Sequence, residues 1–123
     1  MLKDAAATAA LPVQDVERAK AFYEDKLGLT PAEVMGDEGC RYGSGATEFL
    51  LFPSSGRPSG EHTQMSFIVD DADAEVAALR AKGVEFEEVP GIDMADGIAE
   101  MDAGRGGWFK DSEGNLLGVF EYK

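Results

Sequence analysis

Residues 5–13 form an unbroken run of small apolar side chains, and Pro12 near its end predicts a strand that stops there or lies at a sheet edge. The spacing then lengthens. Val16, Ala19, Phe22, Tyr23 and Leu27 recur at helical intervals behind Asp15, a residue suited to cap a helix, and Gly28 ends the helix. Three short strand-like pieces follow at residues 30–35, 39–43 and 47–52, punctuated by Gly43, Gly45 and the stretch PSSGRPSGE. The same order then returns. Residues 62–69 read as a strand, Asp70 and Asp71 as the cap of a helix carrying Val76 and Leu79, and Gly83 as its stop. A strand at 84–89, a loop over PGIDMADG, and two closing strands at 107–110 and 115–122 complete the chain. The turn DSEGN joins the last two, with Gly114 supplying positive φ.

The order is therefore βαβββ, twice. LPVQDVERAKAFY lies over FIVDDADAEVAAL at an offset of 56, which matches Val13 to Val69 and Asp15 to Asp71. The expectation is an α+β fold in one domain, residues 1–123, built of two βαβββ modules at about 1–53 and 62–123 with a linker at about 54–61. Each sheet would lay one face on its helix and leave the other free to curve round a ligand.

Charge removes some partners. With 24 acidic and 11 basic residues the net charge is −13, which repels phosphate backbones and anionic lipid. Nucleic acid and membrane are not expected partners, and a cationic guest is preferred to an anionic one. The single cysteine, Cys40, cannot make an internal disulfide, has no CxxC partner, and reads as a buried thiol in a cytoplasmic protein. The alanine-rich start carries Asp4 and reads as a strand, not as a signal peptide. No GxSxG elbow is present, and the GSG at Gly43–Gly45 precedes a strand, so it reads as a hairpin turn and not a phosphate loop.

The segments PVQDVERAKAFYEDKLGL and GGWFKDSEGNLLGVFEY resemble the vicinal oxygen chelate superfamily, which includes glyoxalase I, bleomycin-resistance proteins and extradiol dioxygenases. The resemblance spans nearly the whole chain. It implies paired βαβββ modules around a U-shaped cavity, and commonly a homodimer. In metal-using members it implies one divalent ion held by His, Glu or Gln from the first and last strand of each module. Carried over by this resemblance, those positions are Thr8 and Gln64, which are 56 apart, and about Leu50 and Gly118. That set offers one side-chain carbonyl, one hydroxyl and two side chains without donors, whereas a divalent ion needs several strong ligands. A displaced site could use His62 and Glu48, each two residues before a family position, with Asp102 or Glu121 as a third ligand. The expectation is no metal and no cofactor.

Alternation then names the cavity lining. Gln64 inward brings His62, Ser66 and Ile68. Leu50 inward brings Glu48 and Phe52, and Gly118 inward brings Leu116 and Phe120. The expected ligand-binding set is Thr8, Glu48, Leu50, Phe52, His62, Gln64, Trp108, Leu116, Gly118 and Phe120: apolar walls with a few polar points. Core packing is the first expectation for Phe22, Phe67 and Phe120. For Trp108 stacking on a planar ligand, a dimer interface and core filling all stay open, as does whether Trp108 or Phe109 faces the cavity. The leading functional expectation is a bleomycin-resistance-like protein that binds a small organic molecule as a homodimer. The alternative is a lactoylglutathione-lyase-like lyase or isomerase, using either the displaced metal site or Glu48 and His62 as the candidate catalytic acid–base couple.

Overall fold

The computed structural model describes residues 1–123. Two sheets carry the chain. Sheet one runs β1 (Ala9–Val13), β4 (Thr47–Pro53), β3 (Cys40–Ser44), β2 (Pro31–Val34), with β1 parallel to β4 and the other pairs antiparallel. Sheet two runs β5 (Thr63–Ile68), β10 (Leu116–Tyr122), β9 (Gly104–Lys110), β8 (Ile98–Met101), β7 (Met94–Ala95), with β5 parallel to β10. The first expected strand is shorter than its apolar run. Only from Ala9 onward does it have β4 to pair with, and residues 5–8 stay exposed.

Both helices start where the repeat places them. Asp15 Oδ1 accepts from the Arg18 N–H at 3.0 Å ahead of α1 (Val16–Ala21), and Asp71 Oδ1 accepts from the Ala74 N–H at 3.1 Å ahead of α2 (Ala72–Ala81). The first helix continues into a π-helical turn, Phe22–Lys26, which the periodicity did not predict.

The second module departs from plain βαβββ. Its expected strand at 84–89 shrinks to β6 (Phe86–Glu87), which pairs with the Trp108–Phe109 end of β9. The chain then leaves the sheet, turns back through an added hairpin β7–β8, and β8 takes the same edge of β9 nearer its start. The turn of that hairpin is Asp96–Gly97, and both residues have positive φ, as a type I′ turn requires. The DG pair inside PGIDMADG was the available signal for it.

One core serves both modules. Leu11, Val13, Tyr42, Phe49 and Leu51 from sheet one join Phe109, Leu117 and Val119 from sheet two in a single buried cluster with Ala19 and Tyr23. Aromatic rings cross between the modules: Phe49 to Phe67 at 6.1 Å between centroids, and Phe22 to Phe109 at 6.4 Å. Strand alternation fixes the rest. If Phe49 and Leu117 face this shared core, then Leu50 and Gly118 face away from it, one on each sheet.

The F-x-D-x-x-G-N segment is what ties the modules together. Buried Glu113 accepts from the N–H groups of Gln14 and Asp15, both at 2.9 Å, from Arg18 Nε at 2.8 Å and Nη2 at 3.0 Å, and from Ser112 Oγ at 2.9 Å. Burial alone would raise its carboxyl pKa. Arg18, the two N–H donors and Ser112 outweigh that and lower it from 4.5 to about 2. Asp111 accepts from Tyr23 OH at 2.6 Å and Asn115 Nδ2 at 2.8 Å, while Asn115 also donates to the Pro12 carbonyl at 2.9 Å. Burial, and then the Asp111 charge, hold the Tyr23 hydroxyl protonated far above the usual phenol range. The motif read as a family signature is thus a clamp between the β9–β10 turn and the start of α1.

Candidate functional site

The outer face of sheet two carries an aromatic-walled cup. Trp108 and Phe109 are neighbours on β9 and must point to opposite faces; Phe109 is fully buried in the core, so Trp108 stands outside. Its Nε1 donates to Thr63 Oγ1 at 2.9 Å, which pins the ring. Directly beneath is Gly118. A Cβ there would make only ordinary contact with Trp108 Cδ1, at 3.6 Å, but would lie 2.6 Å from Ser66 Oγ, so the missing side chain is what lets Ser66 lie against the strand. Thr63, Ser66, Trp108, Gly118, Phe120 and Tyr122 line a recess of about 280 Å³. Phe120 was expected in the core first; instead it is half-buried in this cup, edge-on to Tyr122 at 4.9 Å.

Alternation did not place Thr63 or Tyr122 here, for different reasons. Between Leu116 and Leu117 the pairing with β5 shifts by one residue, so Gln64 is the extra residue of a bulge. Parity counted back from Ser66 fails beyond it, which is how Thr63 comes to reach Trp108. Tyr122 follows Phe120 on the same face and was available by simple extension of the strand. Leu116, expected to line the cavity, is buried, with 6 % exposure, and does not reach the cup.

The outer face of sheet one is chemically different. Leu50 and Phe52 stand there half-buried. Beside them Arg41, paired in register with Leu50, reaches Glu33 at 2.7 Å and Glu48 at 3.4 Å. Arg41 occupies the place in module one that Trp108 occupies in module two, since the registers Tyr42↔Phe49 and Phe109↔Leu117 superpose the two hairpins. Glu48, expected from the sequence to line the cavity, already has a cation beside it. Changing Glu48 to Gln should alter stability by no more than ~1 kcal/mol, because the pair is solvent-exposed; urea unfolding would check this.

His62 lies exposed ahead of β5, with Nδ1 3.4 Å from Ser59 Oγ. Glu48 and His62 each have a different partner, so the structure gives no hydrogen-bonded acid–base couple. The family's metal positions do not supply an ion site either. The Thr8 hydroxyl donates to the Glu48 carbonyl at 2.7 Å, and Leu50 and Gly118 bring no donor. Gln64 keeps one unpartnered, buried Oε1. Glu121 is committed to the N–H of Ala72 at 2.9 Å, on the helix side of its sheet. One amide oxygen cannot hold a divalent ion, and no three His, Cys, Asp or Glu side chains converge elsewhere. Cys40 is buried, and burial raises its pKa, which keeps the thiol unreactive.

Glu48, Leu50 and Phe52 thus belong to one sheet, with Thr8 just ahead of its first strand, and Gln64, Trp108, Gly118 and Phe120 belong to the other, and the shared core lies between the two sheets. Within one chain, two further recesses follow the seam between the modules instead: one of about 430 Å³ walled by Ala7, Ala9, the β3–β4 turn and β5, and one of about 200 Å³ adjoining it. No helix is long and apolar enough to cross a membrane.

The family model of the glyoxalase/bleomycin resistance protein/dioxygenase superfamily matches residues 5–119. No curated protein matches the chain by sequence. Among solved structures, lactoylglutathione lyase from Agrobacterium tumefaciens superposes with a TM-score of 0.74 at 20 % identity, covering 97 % of this chain and 95 % of that one. A genomically encoded fosfomycin resistance protein from Listeria monocytogenes superposes at 0.68 and 17 % identity over 98 % of this chain and 92 % of that one. An antibiotic binding protein from a Streptomyces strain does so at 0.68 and 24 % identity, over 97 % and 98 %. At these identities the likeness is one of fold.

Proposed function

Because the chain belongs to the glyoxalase/bleomycin resistance protein/dioxygenase superfamily, we propose that it binds a small, partly apolar organic molecule in the cup on sheet two, without using the family's metal. The observation that carries this is Trp108: a large aromatic surface beside Gly118, tethered by its bond to Thr63, in a recess with hydroxyls but no charged side chain. Apolar walls with a few placed polar groups are the usual make-up of such sites. A planar, conjugated guest suits it best.

A second copy of the chain completes the site. The two candidate faces point away from each other in one chain; sheet two keeps Ile68 and Tyr122 each 60 % exposed, and sheet one keeps Leu50 and Phe52 half-buried. A twofold pairing that sets sheet one of each copy beside sheet two of the other would bring the two kinds of face together twice and build two equal sites. Sedimentation at high micromolar concentration should give twice the chain mass of 13.1 kDa; a monomer would remove this half of the reading and leave the cup to act alone.

Titration with neutral and cationic fused-ring aromatics tests the cup, with Trp108 emission as reporter. Gly118→Val should abolish binding, and Trp108→Ala, followed by calorimetry, should weaken it at least tenfold, about 1.4 kcal/mol. Unchanged affinity in both would place the guest elsewhere. With Glu48 paired to Arg41, any preference for a cation comes from the net charge of −13, so it should fade with added salt. The lyase or isomerase alternative would need Glu48 and His62 to act together, and each already has another partner.

A further inference from the structure

We propose that the seam between the modules holds a second ligand site, distinct from the Trp108 cup, which takes a compact apolar molecule with an ammonium head, such as a short arylalkylamine. The site is the recess of about 200 Å³ enclosed by Leu27 and Leu29 from module one and by Phe67, Leu79, Phe109 and Val119 from module two. Leu27, Leu29, Phe67 and Leu79 pack against the core yet remain half-buried, so this is the side on which the core is left incompletely covered. The recess opens to solvent on one side, and its volume admits a ring with a short arm.

The wall carries two polar side chains, Ser44 and Glu75, and Glu75 is its one ionisable group. Glu75 stands one helical turn before Leu79, on the same face of α2, which aims both at the recess. It takes part in none of the chain's ion pairs. Its neighbours on the helix are otherwise engaged: Asp71 caps α2, and Asp73 pairs with Arg105 at 3.0 Å. An apolar pocket with an unpaired carboxylate at its rim selects a cation over an anion of the same shape. An entrance is present too. Ser44, Phe67 and Ile68 are shared with the adjoining recess of about 430 Å³, whose other walls include Ala7, Ala9, Gly45 and Ala46, side chains too small to close it.

Methyl NMR with benzylamine, toluene and benzoate as probes tests this site without reference to the cup. Benzylamine should give saturable shifts at Leu27, Leu29, Leu79 and Val119, toluene weaker ones, and benzoate none. Glu75→Gln should weaken benzylamine several-fold and leave toluene unchanged. Leu79→Phe, which fills the recess, should abolish both; Leu29→Phe serves if that variant does not fold. Equal response to benzoate, shifts that persist in the filled variants, or no saturable shift at these methyls would overturn the proposal. Shifts confined to Trp108 and its surroundings would overturn it as well, while leaving the cup intact as a binding site.

Discussion

Glu113→Gln is expected to cost about 3 kcal/mol of unfolding free energy at pH 7 and to remove much of the protein's sensitivity to acid. The carboxylate is buried, and it takes up N–H donors from Gln14, Asp15 and Arg18 together. A carboxamide presents only one acceptor oxygen and turns its own N–H donors toward the others, so buried donors of the clamp lose their acceptor, while half-exposed Arg18 falls back on water. The pH dependence follows from the lowered pKa. A folded-state value of about 2 against 4.5 means that the native state prefers the ionised form. The stabilisation is therefore fully present above the unfolded value and is lost as pH falls from about 5 toward 2, an amount of about 3 kcal/mol. Urea unfolding at pH 7, 5, 4 and 3 should show the wild type losing stability faster than Glu113→Gln. Parallel curves would mean that the clamp does not carry the acid response. Arg18→Ala should cost less than Glu113→Gln, because its side chain is 51 % exposed and Glu113 would keep its backbone donors.

Gly39→Ala and Gly106→Ala should each destabilise by about 3 kcal/mol or more, enough to unfold a marginal domain. These glycines occupy equivalent places in the two modules. A Cβ on Gly39 would run into the Leu51 carbonyl, and one on Gly106 into the Val119 carbonyl, with Phe52 and Phe120 as the next neighbours in turn. A carbonyl bound into a sheet cannot rotate aside as a flexible side chain can, so relief requires the strands to separate. Gly39 adds a φ of +117°, where an L side chain is strained in any case. Gly43→Ala is the control: no atom lies within 4 Å of its added Cβ, and its cost should stay below ~0.5 kcal/mol. Thermal melts of the three variants decide the matter. Equal melting points would show that the backbones can part without penalty.

Much of the fold was legible in the chain because its signals are local. The caps Asp15 and Asp71, set by the repeat of 56, depend on a side chain and an N–H three residues away. The alternation of β4, β9 and β10 depends only on the two-residue pleat, and so the shared parity of Leu50 with Phe52, and of Gly118 with Phe120, follows from their spacing alone. The hairpin β7–β8 was missed although its DG turn was visible, because two strands of two and four residues carry too little apolar pattern to stand out from a loop. The bulge at Gln64 was not legible at all. It is a relation between β5 and β10, and it moved Thr63 under Trp108 and took His62 out of the expected face.

Spacing between near neighbours was enough to establish the repeat, the helix caps, the two-sheet composition and the sets of strand residues that share a face. The direction in which those faces point came from long-range packing. Phe49 meeting Phe67, Phe22 meeting Phe109, and Glu113 gathering Gln14, Asp15 and Arg18 are contacts across 18 to 99 residues of chain. They turn both helix-facing sides toward one core and leave the charged face of Arg41 and the aromatic face of Trp108 directed away from each other. The hydrophobic effect rewards buried apolar area without regard to the chain separation of the groups that meet, so no local pattern could have told which module's apolar face would cover which.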